Sequence, residues 1–151
     1  MNSNRWSVKT VRSLRRGLLR EVIQESRDEG FAFIDRLTSE WRSGDNGFDK
    51  PGEALFALRD GTSSIAICGL NIDPYQADPC VARLRHLYVL RAARRSGVGR
   101  YLVHHALEYA TAFGFAKVRL RTDTREAGEF YEALGFRRCQ DAATATHQLT
   151  L

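Results

Sequence analysis

The chain has 151 residues, of which 43% are hydrophobic, 10% aromatic and 27% charged. This length and composition predict a single globular domain over residues 1–151, large enough to bury a core without disulfides or structural metals. A net charge of +5 alongside eight Phe and two Trp excludes the composition of a disordered chain, and no apolar run is long enough to span a membrane.

The first residues contain no apolar stretch and no small-residue cleavage pattern, which argues against a signal peptide or a transit peptide. A cytoplasmic location is therefore expected. Cys68, Cys80 and Cys139 are widely spaced, with no histidine at metal-ligand spacing. This spacing predicts three reduced, mostly buried thiols and no metal site.

Basic residues are concentrated in two segments. Residues 1–20 contain six bases and no acid, and residues 83–121 contain nine bases against Glu108 alone. An acidic stretch that begins at Glu21 lies between them. Clustered arginine is typical of proteins that bind nucleic acid, an acidic membrane surface or a phosphate-rich small ligand, and composition does not choose among these.

The first third of the chain predicts a strand and two helices. Residues 6–11 alternate as a short strand. A helix with Ser13 as its N-cap is predicted from apolar residues at helical spacing, namely Leu14, Leu18 and Val22. Gly30 ends that helix, and a second helix is predicted from the next apolar stripe: Phe33, Ile34, Leu37 and Trp41.

Three strands are predicted next, after a polar loop over residues 43–52. Residues 54–59 and 64–72 form a hairpin around Asp60-Gly61-Thr62, because glycine accepts positive φ without strain. A longer strand is expected over residues 81–90, and an arginine-rich turn over residues 91–96 ends it.

The last third predicts two helices and three strands. The first helix begins at Val98, and Gly114 caps it. After a strand over residues 117–121, Asp123 and Glu126 form a candidate capping box for a helix that ends at Gly135. Residues 136–139 and 144–151 are the last two strands, so the predicted order is β-α-α-β-β-β-α-β-α-β-β.

The turn that precedes the helix at Val98 reads Arg94-Arg95-Ser96-Gly97-Val98-Gly99-Arg100. Its glycines let a ligand approach the backbone, the N-terminal N–H groups of the helix attract anions, and the arginines supply charge for a pyrophosphate. The segment is neither a Walker A loop nor a Rossmann Gly-x-Gly-x-x-Gly. The pattern predicts a diphosphate site, with a glycine turn and solvated arginines as the structural alternative.

A second motif downstream reads Ala-Gly-Glu-Phe-Tyr-Glu-Ala-Leu-Gly-Phe over residues 127–136. Together with Leu87-Tyr88-Val89, the two motifs resemble the GNAT family of acyl-CoA-dependent N-acyltransferases. The family's Arg/Gln-x-x-Gly-x-Gly/Ala pattern matches Arg94, Gly97 and Gly99. Its Ala-x-x-Phe-Tyr-x-x-x-Gly-Phe pattern matches at Ala127, Phe130, Tyr131, Gly135 and Phe136.

The resemblance implies an α/β (α+β) fold with a mixed, mostly antiparallel central sheet of about seven strands flanked by about four helices. Its central strands would splay apart to form the acyl-CoA cleft. It also implies acetyl-CoA as cosubstrate and no metal.

The cofactor-binding residues implied by the resemblance surround this cleft. The backbone N–H groups of residues 95–99 would hold the pyrophosphate, and Leu87 and Val89 would pair with the pantetheine arm. Thr124 stands where the family often has Asn, so a contact there would be shortened or lost. The full set is Leu87, Val89, Arg94, Arg95, Ser96, Gly97, Val98, Gly99, Arg100 and Thr124.

For the chemistry, an uncharged amine would attack the thioester directly in a ternary complex. The strand backbone near residues 87–89 would stabilise the oxyanion. Tyr131 corresponds to the family's usual general acid, since a phenol can protonate the departing thiolate. The alternative interpretation makes Tyr131 a packing residue beside Phe130.

The general base is not identified. Many relatives carry Glu at the strand position that is Arg83 here. His86 is a candidate, but strand alternation predicts that it faces away from Arg83, Arg85, Leu87 and Val89, which favours a surface or core role. His147 in the last strand is a further candidate, with core packing as its alternative. Arg83 and Arg85 could bind an acidic acceptor or pair with the acidic N-terminal helices.

The predicted function is acetyl transfer to a primary amine of a small molecule, which could be amino-acid-like. Acetylation of a protein or peptide lysine or N-terminus is the alternative enzyme. A non-catalytic CoA-binding domain and a nucleic-acid-binding module are the non-enzymatic alternatives. No membrane partner is expected, and an exposed edge strand over residues 144–151 would be consistent with a homodimer.

Overall fold

The structure, a computed structural model, describes residues 5–14, 17–141 and 143–151. The strands in these ranges are β1 (Trp6–Thr10), β2 (Ala54–Asp60), β3 (Ser63–Ile72), β4 (Val81–Val89), β5 (Lys117–Leu120), β6 (Arg137–Arg138) and β7 (His147–Thr150). The α-helices are α1 (Arg20–Asp28), α2 (Phe33–Ser43), α3 (Val98–Phe113) and α4 (Arg125–Ala133). The predicted element order is confirmed.

The strands form one sheet in the order β1-β2-β3-β4-β5-β7-β6. Every neighbouring pair is antiparallel except β4 and β5, which run parallel. The predicted fold class, a mixed and mostly antiparallel sheet with flanking helices, is therefore confirmed. No helix in the described part of the chain is long and apolar enough to cross a membrane.

Helices cover both faces of the sheet, and two consecutive residues of β4 mark the two layers. Tyr88 contacts α1 through Glu25 and Glu29. Val89 faces the opposite way, against the start of α3 and the Phe130 ring of α4. The apolar side chains of β2 and β3 are almost fully buried between these layers, so the centre of the sheet is the core.

The first helix begins later than its apolar spacing predicts. Gly17 has a φ of 94°, a left-handed conformation that interrupts a right-handed helix, and α1 starts at Arg20 with Leu19 at its N-cap position. Ser13 is therefore not the N-cap, and Leu14 lies outside the helix. Arg15 and Arg16, within the predicted helix, lie outside the described residues.

Three further predictions are wrong in detail. Thr124, not Asp123, caps α4, because its Oγ1 accepts a hydrogen bond from the N–H of Ala127 at 3.1 Å. The last strand is not at an edge, since β7 pairs with β5 on one side and with β6 on the other. Cys68 is buried as expected, but Cys80 is exposed.

The parallel ladder between β4 and β5 is only three residues long, from Val81 opposite Lys117 to Arg83 opposite Arg119. The last pair places two cations side by side. The fully buried Asp73 carboxylate offsets them: its Oδ2 accepts a hydrogen bond from Arg119 Nη1 at 3.0 Å and lies 3.8 Å from Arg83 Nη1. This ion network marks the fork where the two strands begin to separate.

Replacing the central carboxylate should destabilise the fold. Asp73→Asn leaves two neighbouring guanidiniums without their shared anion, and removal of one partner from a buried ion pair costs about 3 kcal/mol or more. Chemical denaturation of wild type and variant measures the change. The control Asp49→Asn, at an exposed position, should change the unfolding free energy by less than about 0.5 kcal/mol; equal effects would show that the network contributes no more than a surface residue.

Candidate functional site

Beyond Arg83, β4 has one paired edge and one open edge. From Leu84 onward it still pairs with β3, except at His86 and Leu87, but within the described ranges none of these residues pairs with β5. An open strand edge presents N–H and C=O groups to an extended ligand or to a developing oxyanion. Leu87 and Val89, the two residues predicted to hold the pantetheine arm, lie on this half-buried segment.

A β-bulge interrupts β4 at the same place. Between the pairs Gly69–Arg85 and Ile67–Tyr88, β4 has two residues and β3 has one. The extra residue is accommodated at His86, whose φ of 57° is in the left-handed region that residues other than glycine seldom adopt. The bulge changes the direction of the side chains that follow it on the open edge.

The bulge makes the predicted orientation of His86 wrong with respect to Arg85, although His86 faces away from Val89 as predicted. His86 faces α2 on the same side as Arg85, with its ring stacked 6.1 Å from that of Phe33, while Arg85 lies 3.8 Å from Glu40. Val89 faces the other side. The prediction assumed uninterrupted alternation, which the extra residue breaks. Burial lowers the pKa of His86 to about 3, so the ring is neutral at physiological pH and a weak proton acceptor.

The loop between β4 and α3 places several backbone N–H groups at one helix end. Arg95 has a φ of 62° and Gly97 has a φ of 86°, so the chain turns sharply before Val98 starts α3. Within the described residues, no backbone carbonyl accepts from the N–H groups of Arg95, Gly97, Val98, Gly99 or Arg100. Successive free N–H groups at a helix N-terminus form an anion site.

The four arginines around this loop fall into two groups, one that contacts Glu29 and one that is exposed. Glu29 binds Arg94, with 2.6 Å between Oε1 and Nη2, and lies 3.8 Å from Arg91. Arg95 and Arg100 are exposed and make no ion pair in the described part of the chain. The loop therefore keeps two cationic side chains for an anion. Ser96 is hydrogen-bonded to the carbonyl of Ala93.

Gly99 is the point where β4, α3 and α4 come together. A Cβ at this position would lie 3.5 Å from Val89 Cγ2 and 3.4 Å from the Phe130 ring. The missing side chain thus lets the helix end approach the open end of β4. The structure in this way brings the glycine loop, the Leu87–Val89 segment and the second motif to one place.

Tyr131 lies on the inner face of α4 with only 8% of its surface exposed. Its ring packs edge-on against Phe130 and Phe136, at centroid distances of 5.1 and 5.5 Å. Burial raises the pKa of the Tyr131 phenol above its usual value, with a smaller contribution from the nearby Cys68. The phenol is therefore protonated at neutral pH, as a general acid must be before proton transfer.

Thr124 is at the N-terminus of the same helix, and its side-chain oxygen accepts the capping hydrogen bond from Ala127. Its hydroxyl proton is still available to a ligand. The structure places Thr124 at the C-terminal end of β5, across the fork from the open edge of β4.

Among the described residues, no carboxylate occupies the β4 positions of the site, and Arg83 keeps the position that the resemblance assigns to Glu. His147 is only 4% exposed, and its Nε2 lies 3.7 Å from Glu132, which fits the packing alternative for this residue. His104 is on the exposed side of α3, and His105 packs on Phe56. None of these side chains is placed as a general base for the site.

Sequence reasoning missed Glu25, Glu29 and Tyr88. The acidic character of this segment was visible, but the pattern did not show which of its carboxylates would reach β4 and the loop, 59 to 66 positions later in the chain. Only the packing of α1 across the end of β4 joins them.

Comparison with known proteins decides the family. The family model described as Acetyltransferase (GNAT) family matches residues 20–136, a range that includes both motifs and the fork between β4 and β5. The chain belongs to the GNAT acetyltransferase family. GNAT acetyltransferases use acetyl-CoA as cosubstrate, so this chain is an acyltransferase of that type. No curated protein sequence matches it significantly.

Solved acetyltransferase structures share this fold, two of them over almost the whole chain. A protein from Exiguobacterium sp. 255-15 assigned as an acetyltransferase is 26% identical, with a TM-score of 0.82 over 96% of this chain and 93% of its own. A GCN5-related N-acetyltransferase from Kribbella flavida is 17% identical, with a TM-score of 0.76 over 99% and 100%. A protein from Bacillus anthracis str. Ames, assigned as a streptothricin acetyltransferase and solved with acetyl coenzyme A, is 19% identical, with a TM-score of 0.57 over 68% and 66%.

Residues able to hold a metal do not cluster in the described part of the chain, where no group of three or more His, Cys, Asp or Glu side chains is suitably placed.

A negative charge placed at Gly97 should weaken anion binding without lowering the stability of the helix. Asn and Asp both tolerate the left-handed backbone, a Cβ at Gly97 meets no atom within 4 Å, and the two residues are nearly isosteric. Gly97→Asp should weaken acetyl-CoA binding at least about tenfold more than Gly97→Asn, because its carboxylate occupies the anion site at the helix N-terminus.

Isothermal titration with acetyl-CoA measures both variants, and thermal melting provides the control. The Asp variant should melt no lower than the Asn variant, since a negative charge at the N-cap favours the helix. Equal affinities for the two variants would show that the pyrophosphate binds elsewhere.

Proposed function

We propose that this protein transfers the acetyl group of acetyl-CoA to a primary amine of a small molecule, by direct attack within a ternary complex. The observation that carries the proposal is the meeting of an open strand edge with an unsatisfied helix N-terminus at Gly99. This arrangement suits a ligand with an extended arm at one end and a diphosphate at the other.

The cosubstrate would lie along this surface. The N–H groups of Arg95 and of residues 97–100 would bind the pyrophosphate, with the side chains of Arg95 and Arg100 adding charge. The open edge at Leu87 and Val89 would pair with the pantetheine amides. Val98, with 1% of its surface exposed, holds the first turn of α3 in the core and so fixes the loop.

The reaction would proceed in three linked events. An uncharged amine attacks the thioester carbon, and its nitrogen–carbon bond forms as the carbonyl oxygen takes the negative charge. A backbone N–H on the edge of β4 stabilises that oxyanion. The carbonyl re-forms as the carbon–sulfur bond breaks, Tyr131 donates its proton to the leaving thiolate, and the nitrogen loses its extra proton to water, from which Tyr131 is then reprotonated.

A loop covers the sheet on the side proposed for the acceptor, which favours a small acceptor over a peptide. The loop between α2 and β2 lies across the bulge: Phe48 is 5% exposed and its ring contacts His86, 6.1 Å between centroids. Paired hydrogen bonds between the amides of Asn46 and Asn71, at 2.9 and 3.0 Å, anchor this loop. An extended peptide would require an open groove at this place.

The acceptor proposed here is amino-acid-like, because a cation lies on that side. Burial lowers the pKa of Arg83, its Nη1 has no hydrogen-bond partner within the described residues, and its charge lies over the exposed Tyr75 ring. Arg85 lies 3.8 Å from Glu40, the same distance as Arg83 from Asp73, and is half-buried. A carboxylate on the acceptor would supply the hydrogen bond that Arg83 Nη1 lacks, since Asp73 at 3.8 Å is too distant to accept one.

Removing the phenolic hydroxyl of Tyr131 tests whether this residue is the general acid. Tyr131→Phe keeps the ring packing but cannot protonate the thiolate, so kcat should fall about 100-fold while the Kd for acetyl-CoA stays within about twofold. Because the pKa of Tyr131 is raised, the wild-type kcat/KM should show no decline assignable to Tyr131 below about pH 10. An unchanged kcat in the variant would leave Tyr131 as a packing residue.

A matched acceptor series tests the substrate class. Free amino acids should be acetylated with at least about tenfold higher kcat/KM than their amides, which lack the negative charge. Arg83→Gln should abolish this preference by raising KM for the free acids, and Arg85→Gln should largely retain it. Acetylation of peptides with higher kcat/KM than any small amine would support the protein-acetylation alternative instead.

A further inference from the structure

The residue that follows α1 reaches across the end of β4 to the glycine loop. Glu29 binds Arg94 through both of its oxygens, with 2.6 Å between Oε1 and Nη2 and 3.3 Å between Oε2 and Nη1. The remaining guanidine nitrogen of Arg94, Nε, donates to the carbonyl of Val89 at 3.0 Å. Each nitrogen of this side chain therefore already has an acceptor within the protein.

Tyr88 and Glu25 complete the connection. The Tyr88 hydroxyl is hydrogen-bonded to Glu29 and lies 3.0 Å from Glu25 Oε1, and the Tyr88 ring lies 5.4 Å from the Arg94 guanidinium carbon. Glu25 also accepts the backbone N–H of Arg91 at 2.6 Å. We call Glu25, Glu29, Tyr88 and Arg94 the α1 clamp. The clamp fixes both the last residues of β4 and the first residues of the loop.

The charge of Arg94 is offset within the α1 clamp. Hydrogen bonds from Arg94 and Tyr88 lower the pKa of Glu29 to about 2, so the carboxylate is ionised throughout the physiological range. Its negative charge offsets Arg94, and Arg91 lies 3.8 Å away. Arg94 is in consequence a poor source of charge for a phosphate, unlike Arg95 and Arg100.

We propose that Glu29 is a positioning residue for acetyl-CoA, and that Arg94 serves binding by holding the loop in place rather than by contacting the pyrophosphate. The proposal rests on the proposed role of residues 95–100 as the pyrophosphate site. A loop held at Arg94 by the clamp and at Val98 by the core has its N–H groups oriented before the ligand arrives. Such preorganisation lowers the entropic cost of binding.

A double-mutant cycle distinguishes positioning from contact. Glu29→Gln and Arg94→Gln should each raise the Kd and the KM for acetyl-CoA about tenfold, since both disconnect the loop from α1, and kcat at saturation should change by less than about twofold. The double variant should bind no more weakly than the weaker single variant, because both changes remove the same interaction. Isothermal titration and steady-state kinetics supply these values.

Salt dependence supplies a readout that a purely structural role would not alter. Screening weakens contacts between exposed charges and a phosphate, so each such contact adds to the salt dependence of the Kd. Arg94→Gln should keep the wild-type dependence, whereas Arg95→Gln and Arg100→Gln should each reduce it. Glu21→Gln, an exposed acid on the same helix, is the control and should leave Kd unchanged.

Two results would overturn the proposal. If Arg94→Gln weakens binding equally in the wild-type protein and in the Glu29→Gln variant, and also reduces the salt dependence, Arg94 contacts the phosphate. If Glu29→Gln tightens binding, Glu29 competes with the ligand for Arg94.

If Glu29→Gln melts at a much lower temperature than wild type, Tyr88→Phe replaces it as the test variant. Tyr88→Phe keeps the ion pair between Glu29 and Arg94 and removes one hydrogen bond, so it should weaken acetyl-CoA binding less than Arg94→Gln does.

Failure of the clamp is distinguishable from failure of the site. Suppose that wild-type protein binds acetyl-CoA, that Gly97→Asp abolishes binding, and that the effects of Glu29→Gln and Arg94→Gln on the binding free energy add up in the double variant. The assignment of the pyrophosphate site is then supported and the clamp proposal is wrong. If Gly97→Asp and Arg95→Gln have no effect on a measurable Kd, the site itself is elsewhere and the clamp proposal falls with it.

Discussion

Two arginines, Arg83 and Arg119, face each other at the last pair of the parallel β4–β5 ladder, and the buried carboxylate of Asp73 lies between them. Without that anion the like charges would repel at the centre of the sheet. With Asp73 in place, β4 and β5 stay paired as far as Arg83 and Arg119 and separate beyond them. Every element of the candidate site is arranged along the gap that begins there.

The open segment of β4 is shaped from both faces. On one face the bulge at His86 is covered by Phe33 and Phe48, and on the other Val89 packs beneath Gly99 and Phe130. The strand edge is thus held rigid although it lacks a neighbour on one side. A rigid unpaired edge is what an extended ligand needs, because the strand does not have to be ordered when the ligand binds.

Arginines around the loop show how the same residue type takes different roles within a few positions. Arg91 and Arg94 lie beside Glu29, whereas Arg95 and Arg100 are exposed. The basic character of this segment is therefore partly internal to the fold. Its net positive charge toward a ligand is smaller than the sequence suggests, which fits a single diphosphate better than a long polyanion.

The sequence alone determined the order of elements, the positions of α2, α3 and α4 to within a residue or two, and the family, because these depend on local spacing and on two short motifs. Periodicity failed where one residue changes the local geometry: Gly17 delays α1, and the bulge places His86 on the same side as Arg85. Such features arise from how neighbouring strands and helices pack, and the pattern of a single segment does not contain them.

Only the tertiary structure joined α1 to the glycine loop, since Glu29 and Arg94 are 65 positions apart and neither residue signals the other. It also decided that the last strand is internal, because β7 lies between β5 and β6. Short-range patterns encode what a residue's neighbours in the chain dictate. Ion pairs, bulges and strand order depend on distant partners, so they become visible only when the whole chain has packed.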